Sequence, residues 1–191
     1  MPETAYPTTR PAPRFLTLTV ARELGILLAL SLLFPFMVHL IPVPEEARLG
    51  QRLLPMFYAP LLGVLWGRPR MAALVAMLAS WLNWLLTRHP SPPGAALMSL
   101  ELLVFVGTVA TLQARLGLRW FLAIPSYVAG KTATVAAAGL FPVLIGGRPL
   151  LAWVTNALGQ GLPGLAILVV LTVFVLNFYP PSSSGEGPAA A

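Results

Sequence analysis

Two charges set in apolar surroundings carry most of the chemical information in this chain. Glu101 lies in the run MSLELLVFVG and Lys131 in the run SYVAGKTATV. An unpaired charge in such a setting is costly, so each must face the protein interior or a water-filled cavity. There the two either pair with each other or each meets a ligand. A purely structural ion pair, or a lysine snorkelling past its helix end, is the plainer alternative. Helical spacing gives both residues polar company. Tyr127, Lys131 and Thr134 follow i, i+4, i+7 and share one face. Glu101, Phe105 and Thr108 form a similar stripe. Asn156 and Gln160 are an i, i+4 pair of amides, each with donors and acceptors to offer. Trp84, with Trp81, offers a stacking wall, or else simply packs or faces lipid. Such a set suits recognition of a small polar molecule. Lys131 would neutralise a carboxylate or phosphate, or hold Glu101 ready to receive donors, and the amides would fix orientation. The candidate substrate-binding residues are therefore Glu101, Tyr127, Lys131, Thr134, Asn156, Gln160 and Trp84.

Other chemistries are excluded. Gly130-Lys131-Thr132 looks like the end of a phosphate loop, but that loop needs a glycine five residues before Gly130, and position 125 is proline. The two histidines, His39 and His89, are isolated and make no metal site. Cysteine is absent, so disulfide and thiolate chemistry are too. No paired acidic magnesium site and no Ser-His-Asp arrangement is evident. The chain is expected to be no enzyme, to hold no metal or cofactor, and to hydrolyse no ATP itself.

The elements that position these residues follow from composition. Of 191 residues, 57% are hydrophobic and 9% charged, where a soluble domain carries about 25% charged residues. Twelve basic and six acidic side chains cannot cover a soluble body of this size. A nucleic-acid binder would need a basic patch or stripe, and none is present. The expected fold is an all-α integral membrane protein with six transmembrane helices at about 18–41, 53–66, 71–87, 95–112, 120–145 and 150–179. The second, with Pro55 and Pro60, is too short for a straight span and should be short, broken or partly re-entrant. The fifth and sixth exceed the bilayer thickness, so tilting or bending is expected. Pro35 should bend the first, and the GQGLPG run at 159–164 should unwind or kink the sixth. The flanking tails, 1–17 and 180–191, are rich in proline and small polar residues and should be flexible. No secretory signal is expected.

Six spans put both termini on one side. Arg10, Arg14, Arg22, Arg68, Arg70, Arg115 and Arg119 fall on that side. Arg48, Arg52, Arg88 and Arg148 fall on the other, offset by Glu45 and Glu46. Basic residues favour the cytoplasm, so both termini should be cytoplasmic in a multi-pass inner-membrane protein. Lys131 then lies near mid-depth, and the other polar candidates lie at mid-depth or outside it. They would line a pocket opening outward. Ala21, Gly25 and Ala29 repeat a small residue every fourth position on the first span, which lets another helix approach closely.

The whole pattern resembles the substrate-binding S component of an energy-coupling factor (ECF) transporter. The resemblance covers roughly 18–179. It rests on the six-span size, on Arg52-Leu53-Leu54-Pro55, on Ala59-Pro60-Leu61-Leu62-Gly63 and Trp66-Gly67-Arg68-Pro69, on the small-residue stripe, and on the 159–164 run. It implies capture of a vitamin or related water-soluble metabolite from outside. It implies docking through Ala21, Gly25 and Ala29 on a transmembrane coupling subunit driven by two cytoplasmic ATPases. It also implies a pocket in the outer loops and the outer halves of helices four to six, with loops 42–52 and 88–94 closing over the ligand. The alternative is a membrane scaffold similar to the rod-shape-determining D family, for which a mid-membrane lysine and an outer polar pocket have no obvious use.

Overall fold

A computed structural model describes residues 18–42 and 49–178. The two expected tails, residues 43–48 of the first loop and Tyr179 lie outside the described residues. So do Arg10, Arg14, Arg48, Glu45 and Glu46.

The described chain is all helical. Helix α1 spans Leu18–His39 and runs unbroken through Pro35. The second segment is broken, as its prolines require. A short α2, Leu49–Leu53, is followed by a 3₁₀ turn at Pro55–Phe57 and by α3, Tyr58–Leu65. The break falls at Leu54, whose left-handed backbone (φ 52°, ψ 43°) redirects the chain into Pro55 at the head of the 3₁₀ turn. The Tyr58 hydroxyl donates to the Leu53 carbonyl across it. Helices α4 (Pro69–Thr87), α5 (Pro92–Leu116), α6 (Ala123–Leu140) and α7 (Leu150–Phe178) complete the bundle. Prolines head α4 and α5, where a missing amide proton costs nothing.

Among the described residues, four helices are long and apolar enough to cross a membrane: α1, α4, α5 and α7. Large apolar side chains such as Leu33, Phe36, Leu86, Val170 and Phe174 are exposed along them. Water would not tolerate so much exposed hydrocarbon on one surface, whereas lipid requires it. Helix α6 is long enough, but Ser126, Tyr127, Lys131, Thr132 and Thr134 make it more polar than the rest.

Three expectations are corrected. The fifth segment is not a continuous helix over 120–145. Trp120 precedes α6, and the helix stops at Leu140. The cause is Pro142: the residue before a proline is pushed out of helical geometry, and Phe141 adopts φ −129°, ψ 76°. A separate 3₁₀ turn, Pro142–Ile145, follows. The GQGLPG run does not unwind, since α7 is helical throughout with Pro163 inside it. Finally, residues 49–52 do not belong to an outer loop. They enter α2, which packs on Gly164, the central residue of α7. A Cβ built at Gly164 would lie 2.8 Å from the Arg52 carbonyl and 2.6 Å from Leu54 Cγ. The Arg52 backbone therefore sits level with the middle of α7, and its exposed side chain must reach toward a polar boundary.

The arrangement follows from these contacts. Helix α3 is the centre, with Ala59 through Leu65 all buried. Helices α1, α4, α5 and α7 contact it, and α6 closes the ring between α5 and α7. Phe57 at the head of α3, Phe105 on α5 and Tyr127 on α6 form an edge-to-face cluster, with centroids 5.1 Å and 6.0 Å from the Phe57 ring. The short connections make neighbours antiparallel. Arg22, Arg68, Arg70, Arg115 and Arg119 thus gather at one end, and Arg88 and Arg148 at the other.

Candidate functional site

The site begins with a glycine. Gly130 has no side chain to hold α6 away from α5, and a Cβ there would lie only 2.9 Å from the Glu101 carbonyl oxygen. The close approach sets the next residue, Lys131, beside the Glu101 carboxylate. Lys131 Nζ lies 2.8 Å from Glu101 Oε1, and the two side chains are 15% and 9% exposed. The same ammonium lies 5.4 Å from the centroid of the Tyr127 ring. Carboxylate and ring face therefore share one cation, a contact worth about 0.5–2 kcal/mol on the aromatic side alone.

The level of the pair follows from register. Glu101 precedes Phe105 by four residues on α5, and Lys131 follows Tyr127 by four on the antiparallel α6. Both lie one turn beyond the Phe57 cluster, toward the end bearing Arg88 and Arg148. The Tyr127 hydroxyl is directed at Gly161 of α7, where any side chain would collide with it. That hydroxyl is buried and has no hydrogen-bond partner among the described residues.

The remaining candidates are placed differently. Thr134 is buried, but its hydroxyl donates to the carbonyls of Gly130 (3.2 Å) and Lys131 (2.9 Å) in its own helix. Gln160 Nε2 donates to Asn156 Oδ1 at 2.6 Å. Asn156 is exposed, whereas Gln160 Oε1 is buried without a partner among the described residues. Gln160 lies one turn before Gly164, so the amide pair runs along α7 just beyond the point where α2 packs. Trp84 is not beside the pair. It belongs to a separate stack at the end of α4, edge-on to Trp81 (6.2 Å between centroids) and 5.7 Å from the Arg88 guanidinium.

The structure thus brings together Glu101, Tyr127 and Lys131, with the Asn156–Gln160 pair on the neighbouring helix. In this conformation the two charges close on each other. Two open concavities lie elsewhere, at the arginine-rich end between α1 and the start of α4. Gly130, Phe57 and Gly161 shape the site without contributing charge. Nothing in their spacing singles them out; they become legible only when the opposing helix is known.

Chemically, the centre offers a carboxylate acceptor, an ammonium donor, an unpartnered phenol and an unpartnered amide oxygen. Such a set has the chemistry to bind and orient polar groups. No group of three or more His, Cys, Asp or Glu able to hold a metal ion occurs among the described residues. No protein-family model, no curated protein and no solved structure matches the chain. What sequence and structure establish together is an all-helical, multi-pass membrane protein whose interior holds a buried lysine–glutamate pair.

Proposed function

We propose that this protein is a substrate-capture subunit of an ECF-type importer, binding a vitamin or related water-soluble micronutrient. The observation that carries the reading is the Glu101–Lys131 pair. A bundle built only to span lipid has no use for two charges in its interior, because well-packed apolar residues of similar volume serve stability equally well or better. Charge retained there has work to do on a ligand. On binding, Lys131 turns to a carboxylate or phosphate while Glu101 takes donors from the same molecule. Both charges then stay compensated, so the favoured ligand has little net charge of its own. Tyr127 and the Asn156–Gln160 amides supply hydrogen bonds that orient it. Thr134 joins only by giving up its bonds within α6, and Trp84 acts at the rim rather than at the pair.

Partner docking fits the outer surface of α1. Ala21, Gly25 and Ala29 are all exposed, and Gly25 has open space where a Cβ would stand. A coupling subunit could pack closely on this face, with two cytoplasmic ATPases supplying the energy. The inner-membrane location and cytoplasmic termini belong to the same proposal. They are supported by the gathering of five arginines at one end of the described bundle.

The test is native mass spectrometry of the protein purified in mild detergent, with release and identification of any bound small molecule. One stoichiometric polar metabolite, retained by wild type and lost in Tyr127→Phe and Lys131→Ala, is the expected result. An empty protein that also fails to associate with a coupling subunit would overturn the reading in favour of a scaffold with a structural ion pair.

A further inference from the structure

The arginine-rich end holds two concavities that join. The larger, about 420 Å³, lies between Thr19 and Glu23 of α1 and Arg68 and Arg70 at the start of α4. The smaller, about 240 Å³, shares Glu23 and Arg68 and continues along the side of the bundle over Ile26 and Trp66. We propose that this joined groove seats one anionic phospholipid, with its phosphodiester against Arg70 and Arg68 and an acyl chain along Ile26 and Trp66.

Charge argues for the headgroup. Arg68 is already engaged by Glu23 at 2.9 Å, so its charge is in part spent. Arg70 has no ion-pair partner among the described residues. It stands in the mouth of the groove at the end where four other arginines gather. A guanidinium presents paired donors that match a phosphodiester, which a single ammonium would not.

Shape argues for the rest of the molecule. Arg70 lines only the larger concavity, whereas the smaller adds Ile26, Leu27 and Trp66 to the shared Glu23 and Arg68. Ile26 is 51% exposed and Trp66 49%, side by side along the second concavity. A free phosphate would fill the mouth and leave the apolar limb uncovered. An acidic peptide matches the mouth equally well, but its backbone would be stranded in a limb that faces hydrocarbon. Only an occupant with an anionic head and an apolar tail fits both, and the bilayer supplies it. Tryptophan at the boundary between them is where its ring is favoured. This inference needs only the membrane setting and does not depend on the proposed transport role.

The experiment offers the purified full-length protein equimolar phosphatidylglycerol and phosphatidylcholine with matched acyl chains. Native mass spectrometry then reads the lipid retained. One phosphatidylglycerol should be kept in preference. Arg70→Gln should lower its retention about fivefold, the effect of one arginine at an anionic lipid surface. Arg70→Lys keeps the charge but loses the paired donors, so retention of that lipid should fall between wild type and Arg70→Gln. Arg115→Gln, at the same end but outside the groove, should leave it unchanged. Matching thermal unfolding of all three variants to wild type shows that each is folded. Equal retention of the two lipids, equal loss in Arg70→Gln and Arg115→Gln, or displacement by millimolar inorganic phosphate would overturn the proposal. Retention that appears only after deletion of residues 1–17 would overturn it too, since the occupant would then be the chain's own tail.

Discussion

The ion pair supports a quantitative test. Lys131 Nζ and Glu101 Oε1 are 2.8 Å apart, and neither side chain is more than 15% exposed. Removing one partner leaves the other charged, desolvated and without compensation, at a cost of about 3–5 kcal/mol. Lys131→Met also gives up the contact with the Tyr127 ring, adding about 0.5–2 kcal/mol. Glu101→Gln keeps the shape of the side chain but not its charge, so its cost should sit at the lower end of the same range. The double variant removes both charges. Methionine fills much of the volume of the lysine stem, and the glutamine amide keeps hydrogen-bonding capacity. Its stability should return to within about 2 kcal/mol of wild type, because a buried pair is worth little against apolar replacement. The expected coupling energy is therefore several kcal/mol, far outside the few tenths seen between independent sites. The assay is reversible unfolding by SDS in mixed micelles, followed by helical circular dichroism. Two single variants that each cost less than about 1 kcal/mol, with a double variant equal to their sum, would refute the reasoning. The charges would then be solvated separately, and the pair would not be the organising feature of the interior.

Three further outcomes follow from the same geometry. Gly164→Ala should destabilise: its Cβ would fall within 2.8 Å of three atoms of residues 52–54, and the strain of about 1–3 kcal/mol exceeds the helix-propensity gain of about 1 kcal/mol; SDS unfolding reads the sign. Gly25→Ala has open space and should stabilise the isolated protein by up to about 1 kcal/mol, whereas Gly25→Leu should leave the monomer folded and reduce co-purification with a coupling subunit. Tyr127→Phe removes a buried hydroxyl that has no partner among the described residues, so it should not lower stability, and it should partly rescue Gly161→Ala, whose Cβ otherwise collides with that hydroxyl and still lies 3.0 Å from the ring carbon Cζ without it; a loss of ligand without a loss of stability in Tyr127→Phe would mark the phenol as a binding group.

Much of the architecture is written in one-dimensional features. Long apolar runs read directly as spans, because lipid leaves the backbone few alternatives to a helix. Pro55 and Pro60 announce that the second segment cannot be straight. Lys131 and Glu101 declare themselves by cost alone. What hydropathy does not carry is the register between helices. That Glu101 and Lys131 meet depends on Gly130 lying against the Glu101 carbonyl, a relation between residues on different helices. The depth of α2 is hidden for the same reason: residues 49–52 are polar enough to read as loop, yet Gly164 makes a recess at the middle of α7 for the segment they enter. The proline signals were ambiguous rather than silent. Pro142 ends α6, where the long apolar run suggested continuation. Pro163 leaves α7 helical, where the neighbouring glycines suggested unwinding.

One consequence of the architecture bears on where a ligand can go. The central helix, α3, has 8 residues, about 12 Å at the helical rise. The 3₁₀ turn before it adds about 6 Å. The helices around it run from 18 to 29 residues, about 27–43 Å. A centre this short cannot fill a ring this tall, so part of the interior must be filled from the sides. Phe57 lies near the top of the central segment, where the 3₁₀ turn meets α3. One turn above it, toward the end bearing Arg88 and Arg148, stand Glu101 and Lys131, long side chains from facing helices that meet across the space α3 does not reach. The buried amide oxygen of Gln160 lies on the adjoining helix, and α2 packs just beneath it. At the opposite end the interior is occupied by Leu61, Val64 and Leu65 from α3 itself, all buried. If this bundle opens to admit a molecule, rotating two side chains makes room at the level of Glu101 and Lys131, whereas at the level of Leu61, Val64 and Leu65 a helix would have to leave.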